Sequence, residues 1–201
     1  MKKLLIISIS LIIIFSGCFK KREITNLPLS PQEIEEAINY GRTKANLTFT
    51  EFTEKWTIDY GYEQGKGKVT LITPFLRVAL LSKNATEKRQ KIDMKVINLA
   101  LKDIADKIVF KVTLYGDYPT FGRTAKFYLE YNNKKIQPLS AFMSPYSQFA
   151  RDYTHISEGE VKFSNQGIPK NAKVKLFVVF IPYEKEKETT CSFEFDLSKY
   201  K

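Results

Sequence analysis

Few side chains in this chain of 201 residues could do acid–base or nucleophilic chemistry. Its one histidine, His155, would have to serve any catalytic triad that uses histidine, and a metal site built from several histidines is excluded. No serine lies in a Gly-x-Ser-x-Gly sequence, the turn that exposes the nucleophile in many hydrolases. Carboxylates are numerous, but without a fold no two of them can be placed at the separation that a glycosidase requires. The sequence therefore favours a binding protein over an enzyme, and we expect neither a cofactor nor a metal.

The residues best suited to binding lie in the stretch 139–158, which is unusually rich in aromatic side chains. Aromatic faces beside Arg and Asp commonly hold peptides, sugar rings or partner loops. Long connections in compact domains often have a function or a structure of their own. The segment 118–123 has a similar composition and could lie beside this stretch. An alternative role is a lid whose aromatic side chains only close the core. The candidate binding residues are Tyr146, Phe149, Arg151, Tyr153 and His155.

The N-terminus has the composition of an export signal. Two lysines precede an uncharged, mainly apolar run that ends at Phe15 and is followed by Ser16-Gly17-Cys18. The run has about a dozen residues, whereas a helix that crosses the hydrocarbon core needs roughly 20. The segment 1–18 resembles the signal of bacterial lipoproteins, in which an aliphatic and two small residues precede a cysteine. Phe15 departs from that pattern, because Leu, Val or Ile is more usual there.

This resemblance implies that residues 1–17 are a signal peptide, and that Cys18 becomes the first mature residue and carries a lipid anchor. An ordinary or uncleaved signal peptide and a buried N-terminal helix are the alternatives. Residues 18–29 would then be a lipidated tether. Phe19 stands where an Asp often marks retention in the inner membrane in the resembled family. We therefore expect an outer-membrane position facing the periplasm in a cell with two membranes, and otherwise the outer face of the cell membrane.

The charge of the chain limits its partners. Of the 32 Lys and Arg residues, two lie in the predicted signal, which leaves 30 against 22 acidic residues and a formal net charge of +8. A surface of this sign attracts anionic lipid headgroups, acidic proteins or phosphate-bearing polymers, and the attraction weakens with salt. Lysines spread along the whole chain are also typical of an ordinary solvated surface. Because export removes the protein from nucleic acid, we expect none among its partners.

The second cysteine, Cys191, lies in an alternating stretch that predicts a strand. If Cys18 carries a lipid, the chain offers no second thiol for an intramolecular disulfide, so burial has to supply the stability of the domain. We expect Cys191 to be a buried structural residue. A reactive thiol would need an exposed and cationic setting.

Beyond the tether we expect a single globular domain over residues 30–201. Ser30, Pro31 and Glu33 form the signature of a helix N-terminus, and helices are predicted over about 31–45 and 74–106. The amphipathic, basic pattern near 92–105 is typical of a helix that covers a sheet, and also of one that lies on a membrane. Residues 107–201 are rich in predicted strands, among them 160–163 and a hairpin whose turn is Asn132-Asn133, since Asn tolerates the positive φ that such a turn requires. The expected fold class is α+β, a mainly antiparallel immunoglobulin-like β-sandwich with an N-terminal helix and a helical insertion.

These observations predict an envelope lipoprotein that binds or assembles with another envelope component, a protein first and an anionic polymer or glycan second. The alternative is an envelope hydrolase or carbohydrate-active enzyme that uses the stretch 139–158. A binding module predicts exposed aromatics or an open sheet edge, whereas an enzyme predicts a deep pocket that gathers His155 with acids. A purely structural subunit, the third possibility, predicts a flat apolar patch of several hundred Å².

Overall fold

A computed structural model describes residues 29–61, 66–150, 154–184 and 187–200. The predicted signal peptide, Cys18 and nearly all of the predicted tether lie outside these ranges. Within them, no helix is both long enough and apolar enough to cross a membrane.

The helices begin at side chains that cap them. Ser30 and Glu33 form the predicted capping box, and Thr73 and Asp93 accept hydrogen bonds from the first turns of the two later helices. A short helix after Thr48 starts with a second capping box that the sequence analysis overlooked. The predicted helical region 74–106 consists of two helices separated by an exposed loop. The α-helices among the described residues are α1 (Pro31–Thr43), α2 (Phe49–Thr53), α3 (Pro74–Glu87) and α4 (Met94–Ile104).

The strands form two antiparallel sheets. The larger sheet contains β1 (Thr57–Asp59), β2 (Gly67–Leu71), β3 (Lys107–Gly116), β6 (Ser140–Met143), β7 (Gln148–Phe149) and β8 (His155–Ser164). Its order is β1-β2-β3-β8-β6, and β7 also pairs with β8. The smaller sheet contains β4 (Lys126–Tyr131), β5 (Lys134–Ile136), β9 (Lys173–Phe180) and β10 (Thr189–Asp196), in the order β10-β9-β4-β5.

Alternation along the strands builds the core between the two sheets. In β9, for example, every second residue is buried, which is the pattern of a strand with one face in a core. Phe110 and Phe163 from the larger sheet meet Phe195 from the smaller one in this core. The fold is therefore α+β, and its two antiparallel sheets pack together as a sandwich.

A second core lies between the helices and the outer face of the larger sheet. Val109 of β3 faces this side, while its neighbours Ile108 and Phe110 face the other sheet. The ring of Tyr40 in α1 makes edge contacts with three aromatic rings, those of Phe52, Trp56 and Phe75. The larger sheet is thus the middle layer of the molecule.

Two local features decide the connections near the candidate site. Asn132 and Asn133 adopt positive φ angles of 49° and 58°, as predicted for the hairpin turn between β4 and β5. The stretch 139–158, which was expected to be a connection between strands, instead contains β6, β7 and the first residues of β8. The strand predicted at 160–163 is correspondingly longer and begins at His155. The expectation of a loop is wrong because β6 and β7 are short strands that exist only by pairing with β8.

Candidate binding surface

One edge of the larger sheet carries several large apolar side chains in solvent. Strand β6 pairs with β8 on one side, and no strand in the described part of the chain pairs with its other side. Alternate backbone groups of such an edge strand point away from the sheet, where a further strand could bind them. We call the following four residues the aromatic edge, given with their exposed fractions: Leu139 (59%), Phe142 (66%), Tyr146 (64%) and Phe149 (65%).

The ring of Tyr146 is held in place although it is exposed. The guanidinium of Arg123 lies over this ring, 4.7 Å from its centroid. The Nε of Arg123 also donates to the carbonyl oxygen of Pro145 at 3.0 Å, and Ser144 Oγ donates to the carbonyl oxygen of Tyr146 at 2.5 Å. The guanidinium over the ring and the hydrogen bonds to the neighbouring backbone therefore orient Tyr146 before any partner binds.

The segment 118–123 lies beside the aromatic edge, where its composition suggested it could lie. The backbone N–H and the hydroxyl of Ser147 both donate to the carbonyl oxygen of Pro119, each at 2.9 Å. At Gly122 an added Cβ would stand only 2.1 Å from Ser157 Oγ, so the two segments touch closely. The two stretches that the sequence marked as aromatic thus form one surface.

His155 takes part in this surface through Ser147. Its Nδ1 lies 2.9 Å from Ser147 Oγ, and its ring meets the edge of Phe149 with 5.4 Å between centroids. A hydroxyl has one proton, and the carbonyl of Pro119 can only accept. When Ser147 donates to Pro119, Nδ1 of His155 must therefore donate to Ser147 Oγ. In that arrangement the imidazole cannot serve as a base toward Ser147, and its role is to hold the loop.

The structure brings together three of the five predicted binding residues, Tyr146, Phe149 and His155. The other two, Arg151 and Tyr153, lie outside the described residues. Leu139 and Phe142 belong to the same surface but were not among the candidates. No local signal could have found them, because Ser140-Ala141-Phe142-Met143 has only four residues and does not alternate between polar and apolar side chains.

A cluster of charges covers the face of β8 that points toward the helices. Arg77 of α3 binds Glu160 at 3.0 Å, and Lys162 binds Asp103 of α4 at 2.8 Å. The hydrogen bond from Lys162 lowers the pKa of Asp103 below its ordinary value, and the same bond raises the pKa of Lys162. This cluster ties both helices to the strand beside the aromatic edge.

A cavity in another part of the described domain has a different character. It has a volume of about 640 Å³ and lies between the N-terminal ends of α1 and α3 and the start of β3, and Leu29, Ile72 and Lys107 are among the residues that line it. His155 is not among them. Among the described residues, no group of three His, Cys, Asp or Glu side chains could hold a metal ion.

Cys191 is half-buried rather than fully buried as expected, and its side chain packs against the core between the sheets. Burial raises the pKa of its thiol, while the nearby Lys66 acts in the opposite direction. A thiol with a raised pKa is mostly protonated at neutral pH. This setting is closer to the predicted structural role than to a reactive one.

Comparisons with known proteins give one weak structural likeness that can be described. No family model matches the sequence. No curated protein matches it. Among solved structures, the chain is similar to one described as a novel protein of unknown function from Burkholderia pseudomallei K96243. The TM-score is 0.45 and the identity 8%, over 86% of this chain and 95% of that one. This likeness carries no inference about function.

Proposed function

We propose that the protein is a membrane-anchored envelope lipoprotein whose domain is a non-catalytic binding module. The anchor is the lipid on Cys18, and the domain captures another envelope component through the aromatic edge. The observation that carries the proposal is the exposure of Leu139, Phe142, Tyr146 and Phe149 along one open strand edge. Exposed aromatic side chains next to an Arg are the types that most often supply binding energy at interfaces.

A protein with an extended segment is the partner that this surface fits best. An edge strand offers backbone groups for strand addition, and pockets between alternate side chains then give specificity. An anionic polymer or glycan is the second choice, because Arg123 and the aromatic rings could hold charged groups and sugar rings. The hydrolase alternative is less well supported, because Ser147 is bonded to Pro119 and the cavity lies away from His155.

We also propose that the β-sandwich has an immunoglobulin-like topology. Two antiparallel sheets packed face to face support it. The strand order is the point to test. Here β1, β2 and β3 lie in one sheet with β8 and β6, whereas an immunoglobulin constant-type domain places its third strand in a different sheet from its first two. An experimental structure with the order reported above would replace the immunoglobulin-like description with another sandwich topology.

The anchor and the binding surface can be tested separately. Cys18→Ala should abolish incorporation of a fatty-acid probe and release the protein from the membrane fraction. Unchanged labelling and membrane retention would contradict the anchor. For the surface, a photo-crosslinking amino acid is placed in turn at Tyr146, at Phe149 and, as the control, at Tyr128 on the smaller sheet. We expect an adduct with an envelope component at the first two positions. Equal adducts at all three positions, or none at Tyr146 and Phe149, would contradict the proposed surface.

A further inference from the structure

Helix α4 buries only one of its faces. Ile97, Leu101 and Ile104 are buried against the rest of the helical layer. The opposite face also carries apolar side chains, with exposed fractions of 69% for Leu99 and 46% for Val96. Met94, at the start of the helix, is 48% exposed. Core packing therefore explains one face of this amphipathic helix and leaves the other unexplained.

The exposed apolar side chains are surrounded by positive charge. Leu99 lies four residues after Lys95 and three before Lys102, so all three share one face of the helix. The loop before the helix adds further cations. The five exposed basic residues of this region are Lys88, Arg89, Lys91, Lys95 and Lys102. We call these five residues together with Met94, Val96 and Leu99 the basic helix surface.

The acidic residues of the same region are already engaged. Glu87 binds Lys83 at 2.6 Å, Asp93 accepts from the backbone N–H of Lys95 at 2.8 Å, and Asp103 binds Lys162 at 2.8 Å. None of the five cations forms an ion pair with any residue that the structure describes. The basic helix surface thus has positive charge that is not neutralised within the described part of the domain.

We propose that the basic helix surface binds an anionic lipid bilayer and holds the domain against the membrane. Apolar side chains flanked by lysines are the composition of helices that lie in the headgroup region, where the apolar groups enter the boundary and the lysines meet anionic headgroups. An acidic protein would match the charge as well, and hydrogen exchange on vesicles distinguishes the two partners.

The position of Leu29, where the predicted tether meets the domain, agrees with a membrane on the side of the basic helix surface. Leu29, the first described residue, lines the same cavity as Lys107, which is three residues beyond the end of α4. A tether that leaves at Leu29 therefore emerges near the C-terminal end of α4. Eleven residues separate Leu29 from Cys18, so the tether can span at most about 40 Å. This supporting argument rests on the proposed anchor, whereas the charge and exposure of the surface do not.

The test measures contact at the helix itself. All samples share the same N-terminal segment, so binding through that segment does not affect the comparison. The full chain is reconstituted in vesicles of phosphatidylcholine alone or mixed with phosphatidylglycerol, and hydrogen exchange is followed by mass spectrometry at residues 88–104. We expect slower exchange in this segment with phosphatidylglycerol present, and a return toward the faster rate at high salt. Exchange in the segment 139–149 should not change.

Two variants sharpen this test. Replacing Lys91 and Lys95 by Gln should weaken the contact on the order of 25-fold, since each lysine near an anionic surface is worth about a fivefold change. The matched control replaces Lys134 and Lys187, exposed lysines outside this surface, by Gln and should change nothing. Leu99→Ser should also reduce the protection.

Equal protection in both kinds of vesicle, no protection at 88–104, or equal effects of the two double variants would overturn the proposal. Among these outcomes, an acidic protein as the true partner would give no protection with either vesicle. Because lipid labelling of Cys18 is measured separately, failure of the anchor and failure of the helix contact are distinguishable.

Discussion

The two lateral sides of the sandwich differ in how side chains cover their edge strands. On one side, Tyr60 follows β1 and reaches across to β10, where its hydroxyl donates to the carbonyl oxygen of Ser192 at 3.1 Å. The ring of Tyr60 stacks on Phe193 with 4.9 Å between centroids. On the other side, β6 exposes Phe142, and no described residue forms a comparable cover over it.

This difference shows how the chain treats its sheet edges. An uncovered edge strand risks pairing with other chains, and proteins usually cover or charge such edges. Strand β10 has eight residues and is the longer edge, and the half-exposed side chain of Tyr60 covers it at Ser192 and Phe193. Strand β6 has four residues, and aromatic side chains stand on it and beside it in solvent. We infer that the first edge serves stability and the second serves binding.

The largest expected effect compares an aromatic residue from each side. Phe193→Ala should lower the free energy of unfolding by about 3–5 kcal/mol, because the ring is fully buried beneath Tyr60. Phe149→Ala should change it by no more than about 0.5 kcal/mol, because an exposed ring leaves no cavity. The same substitution should weaken partner capture by more than about 1 kcal/mol. Denaturant unfolding measures the free energy of unfolding. A binding assay with the partner identified by crosslinking measures the strength of capture.

A similar loss of stability in Phe193→Ala and Phe149→Ala would contradict the difference between the two edges. In that case Phe149 would be part of the core, and the stretch 139–158 would be the lid that the sequence analysis kept as an alternative. Full partner capture by Phe149→Ala would likewise separate the exposed ring from binding.

The sequence predicted the features that depend on neighbouring residues. The capping box of Ser30 and Glu33 and the turn at Asn132-Asn133 are local signals, and both are present in the structure. The strands β6 and β7 were missed because four and two residues are too few to show a periodicity. Their existence depends on pairing with β8, and no local pattern records that pairing.

The same distinction applies to the candidate site. Composition alone marked the stretch that holds Tyr146 and Phe149, because clustered aromatics are visible in the sequence. It could not predict that Arg123, from the 3₁₀ turn at Phe121–Thr124, would lie over Tyr146, since that contact depends on how separate segments of the chain pack together. Nor could it tell that Ser147 would be bonded to both Pro119 and His155.

An intermediate effect is expected at the strand pairing that creates the open edge. In Gly159→Ala the new Cβ would stand 2.0 Å from the carbonyl oxygen of Phe142, so the backbone of β6 has to move. We expect a loss of about 1–3 kcal/mol in the free energy of unfolding. Hydrogen exchange at Ser140–Met143 should become faster. Thr190→Ala, at an exposed position of β10, is the control and should leave exchange at β6 unchanged. If exchange at β6 is the same in both variants, close contact at Gly159 does not hold the open edge.

The smallest expected effect concerns the charges that tie α4 to β8 on the open side. Asp103 has a lowered pKa because Lys162 bonds to it, so its contribution is present above its ordinary carboxyl pKa of 3.8 and is lost as the pH falls through the lower folded value. Lys162 has a raised pKa, so its contribution is present below the ordinary value of 10.5 and is lost as the pH rises through the higher folded value.

Because Asp103 is half exposed, solvent screens the pair, and Asp103→Asn should cost only about 0.2–1 kcal/mol at neutral pH. Unfolding measured from neutral to acidic pH should show the difference between the variant and the parent chain shrinking once the carboxyl of Asp103 is protonated. The side chain of Phe193 carries no titratable group, so a Phe193→Ala difference that stays constant over the same range would complete the contrast between the two sides. A penalty for Asp103→Asn that persists unchanged in acid would show that Asp103 acts through packing rather than through its charge.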